Sequence, residues 1–389
     1  MPLSSARLFI FAGEPSGDLH GSRLITLLKE KRPGLSIEGV SGPKMRKEGV
    51  QGILRMEDFE VMGFSDVLIA LPRLYKHFHS VLTRILNTKP DGVVLIDYPG
   101  FNLRLAKALR KKGFSGKIIH YISPSVWAWG RHRIEEMEKT LDLLLTIFPF
   151  ESAYFTESKL EVCYVGSPIK ESITKHHYDN LWLQKYGIAK ADKLIALFPG
   201  SRKGEISRNL PLILEAAELL KKNDPELIFG ISCFNSFVHS LLAKNKDRYS
   251  FLENSLYCIS NKHTYELMRD SRAAIAKSGT TTLELAIHSC PTVVVYKLTS
   301  LNRIYAKYFL KVNLPHYCIV NILAGKKVFP ELIVEGLNAS NLLKQIQPLI
   351  NEGHERRLCI HSCEEINASL GNGDASSKAA ESILGLLTC

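Results

Sequence analysis

Short, nearly uninterrupted apolar runs alternate with longer stretches of helical spacing along the whole chain. In the first half the runs are RLFIFAG, LSIEGV, GVVLIDY, KIIHYIS, LLLTIFPF and EVCYVGS; in the second they are KLIALFPG, LIFGISC, SLYCIS, AAIAKSG and PTVVVYKL. A run with no polar face suits a strand covered on both sides of its sheet. Between the runs, the spacing predicts helices over 18–32, 102–112, 207–222 and 280–289. Strands that alternate with helices make parallel sheets with crossover helices, so the fold class is α/β.

The pattern restarts once. EVCYVGSP closes a first unit near 168, a polar stretch rich in Lys, His and Asp follows, and LIALFPGSR opens a second. The organisation predicted is two doubly wound, Rossmann-like domains facing a cleft, over 1–168 and 169–345. A C-terminal helical tail, 346–389, is broken at GNGDASS. Ligands of open α/β sheets bind beyond the carboxyl ends of the strands, so the loops there are the places to look for chemistry.

Bulk properties narrow the setting. The 389 residues are enough for two ordinary domains, and 45% are hydrophobic, which suits globular cores. No apolar run approaches the ~18 residues of a membrane span. The stretch MPLSSARLFIFAG is too short in apolar residues for a signal peptide and reads as a first strand, so a cytoplasmic protein is expected. The net charge of +11 either marks a solvated basic surface or favours anionic partners, phosphorylated metabolites and acidic membrane faces among them. No compact Lys/Arg block or zinc-finger spacing points to nucleic acid. The eight cysteines form no CxxC and sit mostly in apolar runs; Cys359 and Cys363 share a helix face near His354 and His361 without a usual zinc spacing, so no metal is expected.

Five loops hold the candidate chemistry. In FIFAGEPSGDLHG, Gly13, Gly17 and Gly21 are four apart, which matches neither GxGxxG nor a P-loop. Ser16 or Asp18 has the chemistry of a helix cap, whereas Glu14 and His20 face the cleft from a strand end and helix start. In GVVLIDYPGFN, Asp97 ends an apolar strand, where a carboxylate is costly unless paired or working. It either caps the next helix, which Asn102 serves equally, or acts as a general base toward a sugar hydroxyl. In ISPSVWAWGRHRI, Trp127 and Trp129 with Ser123, Ser125, Arg131 and Arg133 suit a sugar or an acylated phosphate, or else a packed corner. In LFPGSRKGEI, backbone amides and Arg202 suit phosphate. In AKSGTTTLELA, Ser278, Gly279 and Thr280 lie between strand and helix and suit a diphosphate. Glu284, one turn further, either accepts from ribose hydroxyls or closes a capping box with Thr281.

A sixth stretch, VMGFSDVLIALPRLYKHFHSVLTRIL over 61–86, mixes apolar residues, Met62 and Phe64 among them, with Arg73, Lys76, His77 and Arg84. It reads as an interfacial element on an anionic membrane, or as an ordinary core helix. Pro72 is expected to split it into two short segments, as in a lid.

Together AGEPSGDLHG, VMGFSDVL, LIDYPGFN, YISPSVWAW, LFPGSR, SGTTTLE and NILAG, in this order over 12–325, resemble the lipid A disaccharide synthase family of nucleotide-sugar glycosyltransferases with two Rossmann domains (GT-B). The resemblance implies transfer of 2,3-diacylglucosamine from UDP to 2,3-diacylglucosamine 1-phosphate, with inversion and formation of a β-1,6 disaccharide phosphate. It implies no metal or organic cofactor, a peripheral position on the inner face of the cytoplasmic membrane, and leaves a homodimer open. Asp97 is then the first choice as base and Glu14 its competitor. Arg202, Ser278, Gly279, Thr280, Glu284 and Asn321 become donor contacts; Ser16, His20, Met62, Phe64, Ser125 and Trp127 become acceptor or lipid contacts. Two positions depart from the family pattern: Ser167 in VGSP, where histidine is usual, and Val320 before Asn321, where proline is usual. A UDP-N-acetylglucosamine epimerase or peptidoglycan transferase would share the SGT…E site without VMGFSDVL or the tryptophan loop. A non-catalytic lipid or nucleotide binder would need no Asp97, and the missing GxGxxG disfavours a dehydrogenase.

Overall fold

The computed structural model describes residues 6–59, 64–127, 133–233, 236–245, 247–297, 315–333 and 336–388; for 64–70, 247, 250, 251 and 388 it describes the backbone alone. Thirteen strands lie in the described residues. The first seven are β1 (Arg7–Ala12), β2 (Ser36–Ser41), β3 (Gln51–Arg55), β4 (Gly92–Ile96), β5 (Lys117–Tyr121), β6 (Leu143–Thr146) and β7 (Glu161–Tyr164). They form one sheet in the order β3-β2-β1-β4-β5-β6-β7. The second sheet holds β8 (Leu194–Phe198), β9 (Ile228–Cys233), β10 (Leu256–Ser260), β11 (Ala273–Lys277), β12 (Thr292–Tyr296) and β13 (Glu331–Ile333). Its order is β10-β9-β8-β11-β12-β13. Every pairing in both sheets is parallel, and both are doubly wound, as the strand–helix alternation predicts.

β1 shows why the apolar runs have no gaps. Leu8, Ile10 and Ala12 enter the core on one face of the sheet with Leu24 and Leu28, while Phe9 and Phe11 enter the other with Val81 and Leu105. Successive side chains of a strand point to opposite faces, so covering both faces with helices requires every position to be apolar. β3 and β13, which the apolar-run criterion passes over, are the outermost strands of their sheets, short and only partly buried.

Four helices begin or end away from the spacing-based expectation, and two of them start earlier for one reason. They run Pro15–Lys31, Pro99–Lys111, Lys203–Asn223 and Thr280–Ile287. Pro15 and Pro99 open their helices, a position where the missing N–H costs nothing and the fixed φ already suits a helix. Pro72 also fails to break its segment: Phe64–Thr88 is one 25-residue helix with the proline inside, a correction to the two-segment lid.

The chain divides into two units, Met1–Glu171 with Leu370–Cys389, and Ser172–Ser369. The tail read as a separate part from 346 is therefore shared. The helix His354–Ser369 belongs to the second unit, and Ala375–Thr388 returns to the first. The crossing point is GNGDASS, where Gly371 and Gly373 take positive φ. The returning helix is anchored at its start by Glu171, whose buried carboxylate accepts from the Ser376 amide (3.0 Å) and hydroxyl (2.6 Å). Its Ala379, Ala380 and Ile383 then complete the core beside β1.

Candidate active site

In the first sheet the strand order reverses between β1 and β4, which are hydrogen-bonded neighbours with Ala12 opposite Ile96. The loops that leave these two strands carry Glu14 and Asp97. Both line one cavity of about 810 Å³, with Tyr98, Phe101, Leu74 and Phe78 among its walls. The helix Phe64–Thr88 supplies one side of it, because Leu71, Leu74, Tyr75 and Phe78 recur at helical spacing on a single face. The walls are mostly apolar carbon, and the two carboxylates are the acidic groups within them.

Asp97 is held by strained backbone rather than by a cap. Asp97 and Tyr98 have φ of 49° and 48°, the left-handed region that non-glycine residues seldom enter. The Asp97 amide donates to the Tyr121 carbonyl at 2.9 Å, and the buried Asn102 side chain donates to the carbonyls of Ile96 (3.3 Å) and Asp97 (2.6 Å). Tyr98, with no side-chain cap bond, precedes Pro99, so neither Asp97 nor Asn102 caps the helix. The Asp97 carboxyl is thus left to the cavity. Burial raises its pKa above the ordinary aspartate value, offset in part by a hydrogen bond from the Tyr98 backbone.

The AGEPSGD loop is built on close packing. A Cβ on Gly13 would stand 2.9 Å from the Tyr98 ring, and one on Gly42 would stand 2.4 Å from the Asp18 carboxyl carbon. Asp18 does not cap its own helix; it accepts from the amides of Lys44 (2.9 Å) and Met45 (3.0 Å) at the start of the helix Pro43–Lys47. Glu14 is the residue before Pro15, does not cap its helix through its side chain, and lines the cavity. Ser16 is exposed. His20 departs from its expected role as a cleft contact: it is buried on the inner face of its helix, and burial with the nearby Arg23 lowers its pKa to about 4, so the ring is neutral.

On the loop after β5, Ser125 is exposed, and the Trp127 ring packs edge-on to Phe150 with centroids 5.6 Å apart. Neither lines the cavity at Asp97. Met62, Trp129 and Arg131 lie outside the described residues, and Phe64 is described in its backbone alone. Ser167, at the position where the family pattern has histidine, is buried; its hydroxyl accepts from the Lys170 amide at 3.3 Å and starts the helix Pro168–Thr174.

The second sheet repeats the geometry. Its order reverses between β8 and β11, and the loops leaving these neighbours are the LFPGSR and SGT segments. Arg202 is exposed just before the helix Lys203–Asn223. Glu205 pairs with Lys277 at 3.1 Å and ties one loop to the end of the other strand. Gly279 precedes the helix Thr280–Ile287 without a side-chain cap bond, so the box between Thr281 and Glu284 is not made. Glu284 instead accepts from the Tyr265 hydroxyl at 3.3 Å, and burial raises its carboxyl to about 7. Tyr265 had no signal in the sequence, since only the packing of the helix Thr264–Asp270 brings it to Glu284.

Asn321 does not fit a donor contact. It is fully buried, its Oδ1 accepts from the amides of Val328 and Phe329 (both 2.8 Å), and its Nδ2 donates to the Phe329 carbonyl at 2.8 Å. The side chain is spent on shaping the turn that leads into β13. Val320 beside it is buried as well.

Residues 8–384 match a family model described as Lipid-A-disaccharide synthetase. The Lipid-A-disaccharide synthase of Chlamydia pneumoniae is 40% identical over 341 residues, 85% of this chain and 54% of the chlamydial one. The chain thus spans about half the length of the chlamydial relatives it matches. The Lipid-A-disaccharide synthase of Anaeromyxobacter dehalogenans is 34% identical over 386 residues, 99% of each chain. Among solved structures, the S. aureus MnaA-UDP co-structure aligns with TM-score 0.64 at 15% identity over 98% of this chain and 96% of that one. The UDP-GlcNAc 2-epimerase from Neisseria meningitidis bound to UDP-GlcNAc aligns with TM-score 0.63 at 13% identity, over 98% and 100%. At such identities the likeness concerns the fold.

Proposed function

We propose, for a chain that belongs to the lipid-A-disaccharide synthetase family, an inverting transfer of 2,3-diacylglucosamine from its UDP derivative to 2,3-diacylglucosamine 1-phosphate. The observation that carries this reading is the pairing of Asp97 with an apolar cavity of about 810 Å³. A carboxylate that accepts a proton belongs beside the attacking hydroxyl, and apolar walls of that size suit the acyl chains that distinguish this acceptor from a plain sugar phosphate.

In this scheme Asp97 removes the proton of the acceptor 6-hydroxyl as its oxygen attacks C1 of the donor sugar. The C1–O bond to the diphosphate breaks with its electron pair on UDP, and the configuration at C1 inverts. Glu14 is the second carboxylate at the cavity and the alternative base. The loops of the second sheet hold the nucleotide: Arg202 and the amides of Ser278, Gly279 and Thr280 meet charge that grows on the leaving diphosphate, and Glu284 accepts from the ribose. The amphipathic helix Phe64–Thr88 brings the first unit to an anionic bilayer surface where such substrates reside. No helix among the described residues is long and apolar enough to cross a membrane.

The test is UDP release with a matched set of acceptors. Acylated glucosamine 1-phosphate should support turnover, and the unacylated sugar phosphate should not. Turnover of UDP-N-acetylglucosamine with no acceptor, giving the 2-epimer, would replace this reading with an epimerase on the same fold.

A further inference from the structure

The second unit gathers three side chains that the transfer reaction does not use. Cys233 ends β9, Cys258 lies in the neighbouring strand β10, and His239 lies on the helix Ser236–Lys244 that follows β9. The parallel register sets Cys258 opposite Ile231 and Ser260 opposite Cys233, so the cysteines are diagonal neighbours, two positions apart. Residues two apart on paired strands share a face, which directs both thiols to one side of the sheet. The two sulfurs and a His239 ring nitrogen all lie within 4.8 Å of one another. Around a tetrahedral zinc ion, with Zn–S near 2.3 Å, two sulfurs stand about 3.8 Å apart, so small rotamer changes suffice to close the site.

We propose that Cys233, Cys258 and His239 form a Zn²⁺ site on the second unit, with three protein ligands and the fourth position open to water. The ligand set is soft and nitrogen-containing, which selects zinc over magnesium or calcium. Cys233 is buried, Cys258 is half-buried and His239 is exposed, so the ion would enter from the helix side with His239 closing behind it. Binding expels the thiol protons to solvent and leaves two thiolates whose charge the cation neutralises.

The site also has a structural consequence. Among the described residues of the helix Ser236–Lys244, Val238 is the one that is buried, so its own packing ties it to β9 weakly. A metal bridge from His239 to both strands would fix this helix. Phe237, the residue two before the ligand, already lies under the Lys203 ammonium, 5.9 Å from its ring centre, and Lys203 directly follows Arg202. Zinc would thereby order the surroundings of the proposed diphosphate-binding loop from behind without touching the nucleotide.

The experiment uses the full chain, reduced and stripped of metal, titrated with Co²⁺ and Zn²⁺ against a chromogenic chelator. One equivalent of Co²⁺ should give thiolate-to-metal absorption in the near ultraviolet, which Zn²⁺ displaces, and saturating Zn²⁺ should raise Tm by about 5 °C. Cys258→Ser should abolish the thiolate band. His239→Gln, at an exposed position that leaves the core intact, should weaken zinc affinity at least tenfold. The proposal is overturned if the reduced protein takes up no stoichiometric metal, if binding is the same in both variants, or if the two cysteines are found as a disulfide that reduction does not convert into a metal site.

Discussion

Glu14 and Asp97 leave the carboxyl ends of adjacent parallel strands and line the same cavity, two carboxylates that sit 83 positions apart in the chain yet belong to one switch point. The arrangement separates their roles. Asp97 is pinned by a left-handed turn that Asn102 holds from beneath, whereas Glu14 opens a helix and depends on Gly13 for room beside Tyr98. A base must be placed to within tenths of an ångström, and the pinned carboxylate is the better candidate.

Asp97→Asn should therefore lower kcat by about 10²–10⁴-fold while UDP still binds, since the amide keeps the shape and loses the basicity. The pH profile gives an independent check. Burial raises the Asp97 pKa, so the carboxylate takes up its proton at a higher pH than an ordinary aspartate, near 3.9. The acid limb of kcat/KM should accordingly fall off above that value. An Asn variant within about tenfold of wild type would move the base to Glu14.

Glu284→Gln separates nucleotide binding from stability. The folded-state pKa of about 7 lies above the reference value of 4.5, so the native state holds this proton more tightly than the unfolded chain. Its favourable contribution is complete below about pH 4.5 and is lost as pH rises through 7. The Gln variant should consequently gain Tm relative to wild type at pH 8 and gain nothing at pH 4, with an upper bound of about 3 kcal/mol from the size of the shift. If Glu284 also accepts from ribose, UDP affinity should fall by about 1–3 kcal/mol in the same variant. Calorimetry that finds unchanged affinity alongside the stability gain would reduce Glu284 to a strained core carboxyl.

How much of this was legible beforehand follows from where each signal resides. Asp97 and Glu14 stand out because an acid directly after an apolar strand is a local anomaly in the sequence. Glu284 stands out by its distance from SGT, although its partner Tyr265 does not, because only tertiary packing sets that pair. The helix Phe64–Thr88 is legible as an amphipathic stretch, but its continuity through Pro72 is not, since that depends on the exposed setting of Pro72, where water can satisfy the carbonyl one turn back that loses its donor. The outer strands β3 and β13 carry little apolar patterning because they have little to bury. Asn321 illustrates the opposite error: a polar residue in a distinctive motif invites a ligand-binding role, and three internal hydrogen bonds give it a structural one.

That structural role makes its own prediction. Asn321→Ala leaves the buried amides of Val328 and Phe329 without acceptors, at a cost of about 2 kcal/mol or more. The urea midpoint should fall accordingly, and at neutral pH Asn321→Asp should not restore it, because its second carboxylate oxygen would face the Phe329 carbonyl to which Nδ2 now donates. A variant with Ala at this position that keeps its midpoint and loses only UDP affinity would restore the donor contact.

The proposed membrane contact is best tested on the part of the helix whose side chains are described. Leu71 is 50% exposed and Tyr75 is 68% exposed, one turn apart and therefore on one face. Lys76 beside them is exposed as well. Large apolar groups standing in solvent next to a cation are what an interfacial helix presents to anionic lipid. Replacing Leu71 and Tyr75 with serine removes that apolar face while the buried Val81, Leu82 and Ile85 keep the helix on the core. The double variant should stay folded, with an unchanged far-ultraviolet spectrum, and should no longer float with vesicles containing phosphatidylglycerol. Salt at 0.5 M should weaken wild-type flotation only in part, because screening shortens the reach of Lys76 and leaves the apolar term in place. Leu71 and Tyr75 also line the Asp97 cavity, so turnover alone cannot decide the matter. Flotation can, and a folded double variant that still floats like wild type would rule this face out as a membrane contact.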